Sequence, residues 1–314
     1  MKFNYIFIAS TFILLCFAPA FAQLDRAFVA TTGVDSGTCG ATNAPCRSFN
    51  TALGRSNAGG EIIALDSGIY DTSTIFVDKS ITLAAAPGVH AELYNSSVTS
   101  NRITINGSST DTVILRNLFI VSKAGNTGGY GIAVYNVGTL QIENCVVDRF
   151  SAGISISLTN SAQVFIKETT VKNSSSEGID FYTAAGLVKV SVEQCHFDHN
   201  GTGGSFPGVD VIQRARVTMR DSTASGNTGV GFLVAGGDLN LENCEASNND
   251  DGGITAESSN GIFGTATVSN TIVTNNVNYG FRQLSSGVFN SYGNNVVRRN
   301  GTNTLGTITV VSGN

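Results

Sequence analysis

The chain has 314 residues, with 36 Gly, only 4 Pro, no Trp and a formal charge of −5. Only 13% of the residues are charged, too few for long amphipathic helices, so the composition points to a turn-rich, all-β chain. A mildly acidic chain without a basic stripe argues against nucleic acid as a partner.

Residues 1–22, "MKFNYIFIASTFILLCFAPAFA", read as a signal peptide: one Lys, an apolar run, then Ala-Phe-Ala before Gln23. A retained anchor is the alternative. The apolar run is short for a span, and no cationic stop-transfer cluster follows. A lipoprotein reading of Cys16 fails because bulky Phe17 follows it. Removal of Lys2 takes the formal charge from −5 to −6. The mature protein is expected outside the cytoplasm, secreted or periplasmic, with no later stretch apolar enough to span a bilayer.

Residues 23–60 read as an N-terminal cap. Cys39 and Cys46 flank "GATNAP", and an exported chain would be expected to join them in a disulfide. A metal pair is the alternative, but no second Cys or His pair accompanies it. Phe49, Ala52 and Leu53 share one face of a short helix.

From residue 61 to 314 the sequence repeats. Seven units open on Gly, at Gly131, Gly153, Gly178, Gly208, Gly231, Gly253 and Gly280, spaced by 22, 25, 30, 23, 22 and 27 residues. Each opening strand ("GIAVYN", "GISISL", "GIDFYT") is followed by a second, such as "LQIENCVV", "VSVEQCHF" or "LNLENCEA". Both alternate apolar and polar residues, the period of a half-buried strand. A unit this short cannot bury its own apolar face, so the units must stack as a parallel solenoid rising about 4.8 Å per coil.

These units, with the entry segment "APCRSFNTALGRSNAGGEIIALDSGIYDTSTIFVDKSITLAAAPG", resemble the right-handed parallel β-helix, or pectin-lyase-like, superfamily across residues 24–314. The resemblance implies an all-β, single-domain right-handed parallel β-helix with a short helix capping the first coil. It also implies ligands along an outward groove on one stacked sheet, and enzymes that cleave or modify acidic polysaccharides. The catalytic strings of that superfamily do not carry over. Asn-Thr-Asp, Gly-His-Gly, Arg-Ile-Lys and Gln-Asp-Thr are absent, "GIDF" is one residue short of Gly-x-x-Asp-Phe, and Trp-x-Asp-His is impossible without Trp. Three His residues leave few candidates for imidazole acid/base work.

Aligned on the second strand, Leu118, Cys145, Thr169, Cys195, Ser222, Cys244 and Thr271 occupy one inward position. Successive Cys rungs lie two coils apart, about 9.6 Å, too far for a disulfide, so three free buried thiols are expected. A nucleophilic Cys would need a base, and His196 must point away from its neighbour Cys195. A second column, Asn200, Asn227, Asn249, Asn276 and Asn300, suits a repeated tight bend or coil-to-coil amide bonding.

The candidate site is the outward face of the opening strands. Two residues past each Gly the column reads Ala133, Ser155, Asp180, Asp210, Leu233, Thr255 and Arg282. Two further on it reads Tyr135, Ser157, Tyr182, Ile212, Ala235, Glu257 and Leu284. Asp180 and Asp210 thus stack on adjacent coils, about 5 Å apart. They are the candidate acid/base carboxylates or a Ca²⁺ site, calcium being the one cofactor the sequence suggests. The plainer alternative is two solvated surface carboxylates whose neutralisation costs no stability. Tyr135, Tyr182, Glu257 and Arg282 are the candidate saccharide contacts, with "NGTGGSFPG" at 200–208 as a wall. "NNDDGG" at 248–253 reads as a turn. The functional expectation is a monomer that binds a polysaccharide or cell-surface glycan, with cleavage of that glycan as the further form of the same expectation. The competing expectation is a non-catalytic structural or adhesive solenoid.

Overall fold

The computed structural model describes residues 23–312, apart from 72, 98 and 124–127. The expected leader lies outside the described residues. One helix is present among them, and none is long and apolar enough to cross a membrane.

The remaining elements form three stacks of parallel strands wound as a β-helix. Sheet I has 12 strands, from Leu24–Val29 to Ile308–Val310. Sheet II has 10 strands, mostly of three residues, such as Val146–Asp148. Sheet III carries the opening strands, among them Ile132–Asn136, Ile154–Leu158, Ile179–Thr183 and Val209–Ile212. Each coil passes from sheet III to sheet I to sheet II.

The core is a set of in-register apolar ladders. Ile132, Ile154, Ile179, Val209, Phe232 and Ile254 stack strand to strand on sheet III, and each is fully buried. Each such side chain contributes about 1.5–3 kcal/mol of apolar transfer free energy. No coil could collect that alone.

The recurring Glu-Asn-Cys string marks the corner between sheets I and II. Asn144 and Asn243 sit in the left-handed region, at φ 49° and 53°, as do Glu168, Gln194, Asp221 and Asn270 at the equivalent corners. One such residue turns the chain within a single position, and Asn tolerates that conformation better than most. The next residue points inward. Cys145, Cys195 and Cys244 are free and buried, alternating with buried Thr169, Ser222 and Thr271. The hydroxyls serve the ladder. They accept the backbone N–H of the preceding Cys rung, at 3.3 Å for Cys145 to Thr169, 3.1 Å for Cys195 to Ser222 and 3.3 Å for Cys244 to Thr271.

The Asn column lies between sheets II and III. The left-handed residue there is the one before each Asn, namely His199, Gly226, Asn248, Asn275 and Arg299. The Asn side chains themselves bond coil to coil. Asn227 Oδ1 accepts from the Asn200 backbone N–H at 2.9 Å, and its Nδ2 donates to the Phe197 carbonyl and to Asn249 Oδ1, both at 3.0 Å. The pattern runs on through Asn276 to Asn300. The opening glycines from Gly178 to Gly280 pack against these amides. A Cβ on Gly208 would sit 2.7 Å from Asn227 Nδ2, so no larger residue fits without a shift.

The N-terminal end is closed by helix α1, Phe49–Arg55, which buries Phe49, Ala52 and Leu53. Ser48 caps it by accepting from the Thr51 N–H, and Lys79 Nζ donates to the Leu53 and Ser56 carbonyls at its other end. Cys39 and Cys46 form a buried disulfide beside it. The strand Ser56–Ala64 pairs with Leu24–Val29, so sheet I starts within the segment read as the cap.

Candidate functional site: a recessed carboxyl pair on sheet III

The outward column of sheet III has the register that its periodicity predicts. Ala133, Ser155, Asp180, Asp210, Leu233, Thr255 and Arg282 are successive partners across seven strands. The inward neighbours Ile179, Phe181, Val209 and Val211 are fully buried and hold both aspartates outward.

Outward on this sheet does not mean solvated. Ala133, Ser155 and Thr255 are buried, and Asp180 and Asp210 are half-buried. The expected surface pair is therefore a recessed one. Ser155 Oγ donates to Asp180 Oδ2 at 3.1 Å. Asp210 Oδ1 is buried and has no hydrogen-bond partner among the described residues. Burial pushes the Asp180 carboxyl up to about 7, with Glu177 adding to the rise and the Ser155 bond opposing it. Burial pushes Asp210 up to about 8, reinforced by the charges of Asp180, Glu177 and Glu257. Removing water penalises the charged form, and a like charge one strand away penalises it again.

Two residues of this recess escape alignment on the strands alone. Glu177 and Tyr130 each precede an opening Gly and lie at the start of sheet III. Burial raises the Tyr130 phenol, with the nearby charge of Asp180 next in weight. A column read one place before each Gly would have shown Tyr130, Glu177 and Tyr279.

The other candidates divide. Tyr182 is half-buried on the strand of Asp180 and pairs with Ser157. Tyr135, two coils away, is 40% exposed. Glu257 pairs with Ala235, which pairs with Ile212, and its charge reaches Asp210. Arg282 is committed elsewhere: Nη2 meets Asp251 Oδ2 at 2.8 Å, Nε donates to Thr255 Oγ1 at 3.1 Å, and the guanidinium lies 4.8 Å from the Tyr279 ring centre. In the "NNDDGG" segment Asp251 holds Arg282, while Gly252 and Gly253 already open the strand Gly252–Ser259.

Two segments flank the face. The loop 201–207 lies at the start of the sheet, with the Gly229 N–H bonded to the Phe206 carbonyl at 2.9 Å. At the other edge, Gly252–Ser259 folds back on Ile262–Phe263 as an antiparallel hairpin directly after Glu257, leaving Phe263 exposed.

A separate cluster lies at the N-terminal end. Asp35, Cys39 and Cys46 place one potential metal-ligand atom each within 4.8 Å of one another. With the sulfurs joined to each other, neither is a thiolate, the form that binds metal. The Asp35 carboxylate already accepts the Arg47 and Ser48 backbone N–H groups, at 2.8 and 3.0 Å.

The family model "Right handed beta helix region" matches residues 130–300, more than half of the chain. The chain belongs to the right-handed β-helix family. No curated protein matches it. Among solved structures it is similar to an alginate lyase from Paenibacillus sp. str. FPU-7, with a TM-score of 0.63 and 15% identity over 83% of this chain and 96% of that one. It is also similar to pectate lyase Pel9A, with a TM-score of 0.54 and 16% identity over 92% and 78% of the two chains. A third is XylC, solved in complex with xylose, with a TM-score of 0.55 and 11% identity over 87% and 70%. At these identities the likeness is one of fold, and fold does not assign function.

Proposed function

We propose that this β-helix is an exported saccharide-acting protein, with the glycan lying across sheet III and Asp180 and Asp210 as the acid/base pair. The observation that carries the reading is a pair of adjacent recessed carboxyls, raised to about 7 and about 8, one with an oxygen that no described residue satisfies. Such a pair shares a proton near neutral pH, which glycosidic bond cleavage requires of its two carboxyls. Asp210, the more strongly raised, is the proton donor to the leaving oxygen. Asp180, steadied by Ser155, is the partner that acts ionised. Adjacent-strand spacing of about 4.8 Å suits the close separation of a retaining pair better than the wider inverting one. Tyr182 and Tyr135 offer faces for sugar rings, and Glu257 borders the far edge. The buried disulfide supports export into an oxidising compartment.

Calcium is a second reading of the same residues. The charges of Asp180, Glu177 and Glu257 all reach Asp210, whose Oδ1 has no hydrogen-bond partner among the described residues. One experiment addresses both: binding and hydrolysis across an oligosaccharide panel, with and without Ca²⁺, for the wild type and for Asp180→Asn/Asp210→Asn. The acid/base reading expects metal-independent turnover that the double variant loses. A Ca²⁺-dependent rise in melting temperature seen only in the wild type would replace it with the cation site. Unchanged turnover in the double variant, or no binding of any saccharide by the wild type, would reject the assignment.

A further inference from the structure

The outward face of sheet I carries a different chemistry from the recess on sheet III. Its outermost row alternates in sign, with Arg116, Glu143, Lys167, Glu193, Arg220 and Glu242 as successive strand partners. Arg116 meets Glu143 at 2.8 Å and Arg220 meets Glu242 at 3.0 Å, so this row largely neutralises itself. The opposite row does not. Lys189 and Arg216 are exposed register partners with like charge. Asp238 takes up Arg216 at 3.2 Å, whereas Lys189 has no ion-pair partner among the described residues.

Between the rows runs the column Ile114, Gln141, Phe165, Ser191, Thr218 and Asn240. The Phe165 ring is 43% exposed, next to Ser191 on the following strand. The large-to-small step leaves two depressions beside it, of about 290 and 410 Å³, and Phe165 and Ser191 line both. The larger also takes in Gln163, Lys189, Arg216 and Thr218. An exposed aromatic face, amide and hydroxyl groups at its edge, and an unneutralised cation beside it form a recognisable set. The ring supplies a stacking platform, the polar groups supply orientation, and the cation selects charge.

We propose that this face of sheet I is a second saccharide site, for a sugar ring that carries an anionic group. The ring stacks on Phe165, and its carboxylate or sulfate lies between Lys189 and Arg216, relieving their mutual repulsion. Charge complementarity chooses this occupant: acidic charges converge on the recess of sheet III, and sheet I offers Lys189, which has no ion-pair partner among the described residues. The site shares no residue with the carboxyl pair and stands whether or not that pair is catalytic.

The test is titration calorimetry of the full chain with polygalacturonate, dextran sulfate and neutral dextran. Binding of polygalacturonate identifies a carboxylate ligand, and binding of dextran sulfate a sulfate one. In either case Phe165→Ala should weaken it at least about tenfold, Lys189→Glu should abolish it, and added salt should reduce it. Both sheet I substitutions are on exposed side chains, so their melting temperatures should match the wild type. Failure of both anionic polymers to bind, equal binding of neutral dextran, or full binding by Phe165→Ala and Lys189→Glu would overturn the proposal.

Discussion

Asp210→Asn tests the recess most directly, because it removes one ionisable group and almost no volume. The carboxyl rises from 3.8 to about 8 on folding, chiefly through burial. At 1.36 kcal/mol per pK unit, keeping it ionised in the native state costs on the order of 5 kcal/mol. The sign follows from proton binding. Between pH 4 and 8 the native state holds a proton that the unfolded state has released, so stability falls as pH rises through this window. Below about pH 4 both states are protonated and the penalty vanishes. Asp180, raised to about 7, adds a loss of the same sign over a slightly lower range. An Asn amide keeps the unpartnered oxygen and loses only the charge, so that oxygen's cost is common to both proteins and cancels. The expected net gain for Asp210→Asn is close to zero at pH 4 and approaches about 5 kcal/mol at pH 8.5, or a rise of roughly 10 °C in melting temperature for a chain of this length. Thermal melts of both proteins across pH 4–9 measure this. A variant that melts at or below the wild-type temperature at pH 8.5 would show that the carboxyl is solvated, and the acid/base assignment would lose its basis.

The three core thiols should label only on unfolding, because burial pushes Cys145 and Cys195 up to about 12 and Cys244 up to about 11. Thiol-counting mass spectrometry of the native protein should find none modified at neutral pH, and rapid modification of any one would displace it from the core. Asn227→Ala should strip the Asn200 N–H and the Phe197 carbonyl of their buried partners and cost about 2–5 kcal/mol in chemical denaturation. A loss below about 0.5 kcal/mol would mean that the amide ladder contributes no net stability.

The winding of the chain was legible in the sequence because a solenoid repeats one local solution. The period-2 alternation after each opening Gly already assigns Ile179 inward and Asp180 outward. Equal spacing from that Gly then puts Asp180 beside Asp210, since parallel coils have no freedom to pair otherwise. The same logic reached the Cys–hydroxyl ladder, the Asn column and the buried face of the short helix. Glu177 and Tyr130 precede their strands, so a column taken from strand positions leaves them out, whereas one taken a place before each Gly includes them.

What only the tertiary structure decided is how wet each outward position is. Alternation separates two faces but says nothing of what covers the outer one. Asp180 and Asp210 are half-buried, with the charge of Glu177 acting on both and that of Glu257 on Asp210, while Lys189 and Phe165 are exposed on sheet I. Arg282 sits in the candidate column by register, yet its guanidinium turns to Asp251, a residue of the preceding turn. Side-chain pairing across coils depends on reach and rotamer rather than on spacing. The charge a site presents is therefore settled in three dimensions, even in a fold whose backbone course can be counted along the chain.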